Sequence, residues 1–359
     1  MIIKQIRSSD GTGTLSYIIA DEAQKVAAII DPNLEDIEIY SNLIKNSGFR
    51  FTYLIDTHTH ADHISAVRRL KELAGAETIM HEESKNKSTM VDQGDAFGIG
   101  DTLRENVKVA IDRYVNDGDI INVGDIEIKV IYSPGHTNDH ICLLSDGHLF
   151  TGDLLLIGQA GRSDLPGGSA DDQYDTLFNK ILTLPDETII HPAHDYEGNP
   201  SSTLAIEKQT NPFLTPRTKA EYREFVSEFF PPVKDGMILQ CGVQRVSTGN
   251  EGYSNITPEE LRKMKEKTSD LVILDVREPF ELTRFGAIEG IKNFPMSTFV
   301  QKFDQVANFK DKQVVVVCQS GSRSAEAAHF LVTKGFEHVY NLLGGTSAYL
   351  KPKASAVSI

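Results

Sequence analysis

The chain runs to 359 residues with a formal net charge of −15 and 40% apolar side chains. That length exceeds one ordinary core and points to two globular domains, while the acidic balance and the lack of any basic run exclude a nucleic-acid partner. No apolar run approaches the length needed to cross a bilayer, and Met1-Ile2-Ile3-Lys4-Gln5 opens no charged-then-apolar leader, so neither a membrane partner nor export is expected.

The three cysteines, Cys142, Cys241 and Cys318, are odd in number and far apart. They form no disulfide framework, and a reducing, cytoplasmic setting is the expectation. Along the chain, 26–31 (Val-Ala-Ala-Ile-Ile-Asp) reads as a strand that leads into helical spacing over 63–74, with Ile64, Val67, Leu70 and Leu73 on one face. Residues 126–132 read as a second strand. A turn at Asp146-Gly147 precedes Phe150, 172–184 reads as helix and 188–191 as strand. Helix and loop material over 213–230 closes this unit.

The small polar stretch from Val246 to Gly252 reads as linker. Thr257-Pro258-Glu259-Glu260 then has the form of a helix start, with Thr at N-cap, Pro at N1 and Glu at N3. The aliphatic runs 271–276 and 314–317 suit a parallel sheet covered on both faces, and helical spacing follows over 325–334. The expected domains are therefore 1–245, a linker at 246–256, and 257–359, both of α/β class.

The densest chemistry lies in Thr57-His58-Thr59-His60-Ala61-Asp62-His63, three imidazoles and a carboxylate directly after an apolar strand-like run. Imidazole and carboxylate are the ligands of zinc, iron and manganese, and clustered histidines have no packing reason to occur together. Three further segments put His or Asp beside glycine or proline just past strand-like runs: Gly135-His136-Thr137, Gly152-Asp153 and Pro192-Ala193-His194-Asp195. Nine of the eleven histidines precede Asp195, which places the metal site in the first domain. His81, His140, His148 and His191 have no motif partner and read as structural or solvent-facing.

This series of motifs resembles the metallo-β-lactamase superfamily, which implies an αββα sandwich with a metal at the sheet edges. Two chemistries divide that superfamily. A dinuclear zinc thioesterase of the glyoxalase II kind uses His58, His60, Asp62, His63, His136, Asp153 and His194 together, and all seven are present. Gly161-Arg162-Ser163-Asp164, His194-Asp195-Tyr196, Thr210-Asn211-Pro212 and Cys241-Gly242-Val243-Gln244 instead resemble the ethylmalonic encephalopathy protein family of mononuclear iron persulfide dioxygenases. That resemblance implies one Fe(2+) per chain on His58, His136 and Asp153, with His60, Asp62, His63 and His194 around it unmetallated. Two histidines and one carboxylate leave open positions on ferrous iron, whereas redox-silent zinc does not activate O₂. Arg162 either grips a substrate carboxylate with its planar fork or pairs with Asp164. Tyr196 either hydrogen-bonds the substrate or is a capped core tyrosine. Gly161, Gly167 and Gly168 read as a flexible approach to the site.

In the second domain, Cys318-Gln319-Ser320-Gly321-Ser322-Arg323-Ser324 follows an aliphatic strand and precedes a helix. A thiol there faces backbone N–H groups of Gln319, Ser320, Gly321 and Ser322, and its thiolate is favoured by the helix dipole and by Arg323. The pattern resembles the rhodanese active loop, and the match extends through Asp275-Val276-Arg277-Glu278 and Gly344-Gly345. Ala287 stands where rhodaneses usually carry histidine, which leaves Arg277 as either a loop-orienting residue or a structural ion-pair partner.

Together the resemblances imply a bifunctional sulfur enzyme. The first domain would oxidise glutathione persulfide with O₂ to sulfite and glutathione, and Cys318 would carry sulfane sulfur between thiosulfate or sulfite and glutathione. A homodimer is a further expectation of the superfamily resemblance. The alternative is the dinuclear zinc thioesterase joined to a rhodanese-like persulfide-binding module.

Overall fold

The computed structural model describes residues 1–8, 13–86, 90–91, 100–195, 201–230, 252–268, 270–277, 279–296, 299, 302–319 and 321–350. The chain divides into two compact units, Met1–Gly242 and Val243–Ile359.

The first unit stacks two six-stranded sheets. One sheet holds β1 (Ile2–Arg7), β2 (Leu15–Asp21), β3 (Val26–Ile30), β4 (Arg50–Ile55), β5 (Glu77–His81) and β6 (Arg113–Val115) in that spatial order. The other adds β7 (Ile120–Val123), β8 (Ile126–Tyr132), β9 (Ile141–Ser145) and β10 (His148–Gly152), then, after the short hairpin β11 (Leu155–Leu156) and β12 (Gln159–Ala160), β13 (Ile189–Pro192) and β14 (Ser202–Thr203). Its order is β14-β13-β10-β9-β8-β7. The β9–β10 hairpin closes at Asp146 and Gly147, both at positive φ, the backbone twist that matches a two-residue hairpin loop.

Alternation along the strands sets the layers. Tyr17, Ile19, Ala28 and Ile30 from one sheet meet Val130, Leu143 and Phe150 from the other in a single inter-sheet core. The outward residues of the first sheet (Ile18, Ala27, Ile29, Leu54) are covered by Tyr40 of helix Ile37–Asn46 and by Val67 and Leu70 of helix Val67–Ala74. Those of the second sheet pack under Leu177 of helix Ala170–Asn179 and Tyr222 and Val226 of helix Lys219–Phe229. The result is the αββα sandwich. Cys142 sits wholly inside that outer layer, where burial pushes its thiol up to about 12, as befits a small core side chain.

The helix expected over 63–74 forms only as Val67–Ala74. Residues spaced by three drift by about 60° per step on a 3.6-residue helix, so four of them do not share one face. Val67 and Leu70 are buried, whereas Ile64 and Leu73 are exposed. The segment before Val67 is held open as loop instead: Asn106 Nδ2 donates to the carbonyls of His60 and His63, and its Oδ1 accepts Ser65 N–H.

The second unit carries β15 (Ser254–Ile256), β16 (Leu271–Asp275), β17 (Lys292–Asn293), β18 (Gln313–Val317) and β19 (Val339–Leu342) in the order β15-β19-β18-β16-β17. Every pairing is parallel. Thr257 and Glu260 close the expected capping box on helix Pro258–Lys267. Among the described residues no helix is long and apolar enough to cross a membrane.

Candidate metal centre and cysteine loop

Each residue of the first site lies just past the C-terminal end of a strand: His58 after β4, His136 after β8, Asp153 after β10 and His194 after β13. Backbone bonds lock these ends together, with Ile141 N–H on Thr57 O and Ala193 N–H on Gly152 O.

Hydrogen bonding fixes which ring atoms are bare. Thr57 Oγ1 donates to Asp31 Oδ2 (2.8 Å), so it accepts from His58 Nδ1 at 3.0 Å, leaving His58 Nε2 unprotonated. His136 Nδ1 donates to Arg162 O at 2.6 Å, which frees its Nε2 in the same way. His194 Nδ1 donates to Asp153 Oδ1 at 2.6 Å, leaving Oδ2 to face His58 Nε2 (3.9 Å) and His136 Nε2 (3.7 Å). Burial first, then neighbouring His60 and His136, holds His58 well below the ordinary imidazole range. Three lone pairs therefore converge in a buried pocket. His58 Nε2 has no hydrogen-bond partner among the described residues, a costly state for a buried polar atom unless a cation takes it up. His58, His136 and Asp153 fit a metal as a two-histidine, one-carboxylate face.

The remaining members of the motif form a second cluster, His60, Asp62 and His63, in which both His60 ring nitrogens and His63 Nε2 also make no hydrogen bond among the described residues. His60 Nε2 lies 3.3 Å from Asp31 and 3.8 Å from Asp56. Burial alone lowers its pKa, but the charges of Asp31, Asp56 and Asp62 prevail and push it up to about 9. Asp62 Oδ2 serves both His63 Nδ1 (3.0 Å) and His194 Nε2 (2.8 Å). Burial opposes the charged forms, yet these opposite charges hold Asp62 well below and His194 well above their usual values.

Gly161 is a close-approach residue, not a hinge. A Cβ there would meet Asp153 O at 2.0 Å and His136 Nδ1 at 3.0 Å. Gly168 is likewise pressed against Ser163 O. The flexible approach expected at these glycines is thus a packed wall.

In the second unit Cys318 follows β18 and is fully buried. Its Sγ accepts Gly321 N–H at 3.1 Å and lies 3.4 Å from Ser324 Oγ, which also bonds Asn341. Gly321 takes φ +108 to begin helix Ser322–Thr333, a conformation that suits glycine. Arg323, expected to favour the thiolate, is paired with a carboxylate. Its two terminal nitrogens bind Glu281 at 2.7 and 2.6 Å, because a carboxylate matches the guanidinium bidentately.

Arg277 is an ion-pair partner that also reaches the cysteine loop. It is fully buried, forks onto Asp275, and donates to Gln319 Oε1 (2.8 Å) and Gly286 O (3.0 Å). Replacing it strands a buried carboxylate, so Arg277→Ala should destabilise the second unit by about 3–5 kcal/mol. Chemical denaturation of the variant against the parent reads this directly, and a loss under about 1 kcal/mol contradicts it.

Residues 9–194 match the metallo-beta-lactamase superfamily and residues 257–352 the rhodanese-like domain. The chain belongs to the metallo-beta-lactamase superfamily. Its C-terminal unit is a rhodanese-like domain. It is 34% identical to the human protein "Persulfide dioxygenase ETHE1, mitochondrial" over 205 residues, 56% of this chain and 72% of that one. The crystal structure of ETHE1 from Myxococcus xanthus matches with a TM-score of 0.56 at 32% identity, over 65% of this chain and 92% of that chain. A metallo-beta-lactamase structure from Staphylococcus aureus covers 96% of this chain at 24% identity and a TM-score of 0.54, a likeness of fold across both units.

Within this metallo-beta-lactamase frame, His58, His136 and Asp153 come together in one pocket, with His60, Asp62, His63 and His194 around them. Arg162 is buried and bonds Asp164 through Nε at 2.8 Å and Nη2 at 2.6 Å, while its carbonyl accepts from His136 Nδ1. Asn211 caps the turn after helix Leu204–Thr210 and holds the Leu156 and Gln159 carbonyls. Tyr196, Cys241 to Gln244, Ser320 and residues 246–251 of the linker expected at 246–256 lie outside the described residues, as does the side chain of Ser322, while the last three residues of that expected linker, Ser254–Ile256, form β15 against β19. His140, expected as structural or solvent-facing, is fully buried, bonded to Ser133 and stacked on His58 at 5.1 Å, and the sequence reading missed Asp31, whose carboxylate sets the His58 tautomer through Thr57.

Proposed function

We propose that this chain is a bifunctional sulfur enzyme that oxidises glutathione persulfide with O₂ and water to sulfite and glutathione, and shuttles sulfane sulfur through Cys318. The observation that carries the first activity is the convergence of His58 Nε2, His136 Nε2 and Asp153 Oδ2 in one buried pocket. His58, His136 and Asp153 would hold one ferrous ion, which supplies open coordination positions for substrate sulfur and O₂. The 34% identity to a persulfide dioxygenase supports the same reading.

The chain's own groups do the rest. Thr57 and the Arg162 carbonyl keep the two imidazoles in the tautomer that presents Nε2. Asp62, whose carboxyl is held low by His63 and His194, bonds both of those imidazoles. In the second unit the Cys318 thiolate attacks the outer sulfur of a persulfide or thiosulfate. The S–S bond breaks, and thiol or sulfite leaves with its electron pair. Gly321 N–H steadies the sulfur, and a bound Cys318 persulfide then passes its outer sulfur to sulfite or glutathione. Joining the two activities in one chain makes the sulfite of the first a reactant for the second at raised effective concentration. A cytoplasmic protein, working alone or as a homodimer, meets all these substrates.

Protein purified without oxygen should carry one iron per chain, and it should consume O₂ on addition of glutathione persulfide. His60→Gln should keep that metal content, since His60 is not a ligand in this reading. Two zinc ions per chain, no oxygen uptake, and loss of a metal in His60→Gln would instead establish the dinuclear thioesterase.

A further inference from the structure

The two imidazoles that face Asp153 come from separate loops, and one buried carboxylate ties those loops together. Asp139 is 1% exposed. Its Oδ2 accepts Thr59 N–H at 3.1 Å and Thr59 Oγ1–H at 2.5 Å, while its Oδ1 accepts Thr137 Oγ1–H at 2.7 Å. Thr59 follows His58 directly and Thr137 follows His136 directly. None of the ion pairs among the described residues includes Asp139. A buried carboxylate is costly without a cation, and neutral hydroxyl and amide donors offset only part of that cost.

We propose that Asp139 is a positioning residue for the metal centre: it sets the spacing of His58 and His136 and adds a negative charge that favours a cation between them. This rests on the metal-binding reading of the site but not on the identity of the reaction. Asparagine is the informative replacement because it keeps the shape and removes the charge. It also turns one acceptor into an N–H₂ donor, which cannot accept from Thr59 or Thr137. Both consequences loosen the same two loops, and outer hydrogen-bond partners of this kind typically change metal affinity by about 10- to 100-fold.

The test uses the full-length protein stripped of metal and titrated with Co(II), whose visible absorption reports ligand geometry. Asp139→Asn should bind Co(II) at least about 10-fold more weakly in competition with a chelator and shift the absorption bands. The melting temperature of the metal-free protein should change little. Should Asp139→Asn fail to fold, Thr137→Val removes one of the bonds and should weaken Co(II) by a smaller factor in the same direction. Unchanged affinity and spectrum overturn the proposal, and so does a stability loss without either. Because neither readout requires turnover, a failure here is separable from a failure of the dioxygenase assignment, which oxygen uptake by the parent protein decides.

Discussion

Asp153→Asn should lose the metal and with it oxygen uptake, while sulfur transfer through Cys318 continues at the parent rate. Asp153 is the only carboxylate in the His58–His136–Asp153 cluster, and both its oxygens are committed. Oδ1 takes the His194 proton, and Oδ2 faces the two bare imidazole nitrogens. An amide in its place is neutral, and it presents a donor either to His194 or to the metal position. Outer-shell losses cost up to about 100-fold in metal affinity or activity, so removal of a direct carboxylate ligand should exceed that. Elemental analysis of the purified variant, with oxygen-electrode traces on glutathione persulfide, measures both effects. A variant that retains stoichiometric iron and near-parental uptake would remove Asp153 from the ligand set and with it the geometry argued above.

Much of the fold was legible because it rests on short-range rules. Strand 126–132 is β8 to the residue, since Ile126, Ile128 and Val130 alternate against polar neighbours and Gly124 precedes them. The Thr257–Glu260 capping box and the Asp146–Gly147 turn were equally local signals. The site was legible because His-x-His-x-Asp-His places three imidazoles and a carboxylate on one loop whatever the rest of the chain does. Other features depended on side chains that meet only in three dimensions. Asp31 bonds Thr57 from 26 residues away, and Asp139, close behind His136, bonds Thr59 from 80 residues away, and nothing in their local sequence marks a buried carboxylate. The engagement of Arg323 by Glu281 joins residues 42 apart, and that of Arg162 by Asp164 turns on burial rather than spacing. Glycine was misread for the same reason. A Gly-rich stretch suggests freedom, yet Gly161 is small because Asp153 and His136 leave no space for a Cβ.

Cys318→Ser tests the other half of the molecule and should abolish thiosulfate–glutathione exchange, by at least about 1,000-fold, with oxygen uptake intact. The substitution is nearly isosteric, and Gly321 N–H and Ser324 retain an acceptor at the same place. What changes is the nucleophile. A serine hydroxyl is scarcely ionised at neutral pH and does not form a transferable persulfide, so the step in which the S–S bond of the donor breaks has no attacking group. The comparison also separates an enzyme from a docking module. If the loop only binds persulfides, the serine variant keeps their affinity and the parent shows no turnover to lose. Exchange that survives in Cys318→Ser removes Cys318 as the sulfur carrier, whatever its fit to the loop. Mass spectrometry adds a direct reading: parent protein treated with thiosulfate should gain one sulfur atom at Cys318, and the serine variant should gain none, even though Cys142 and Cys241 remain. Cys142 lies buried in the core, where burial raises its pKa to about 12 and disfavours the thiolate.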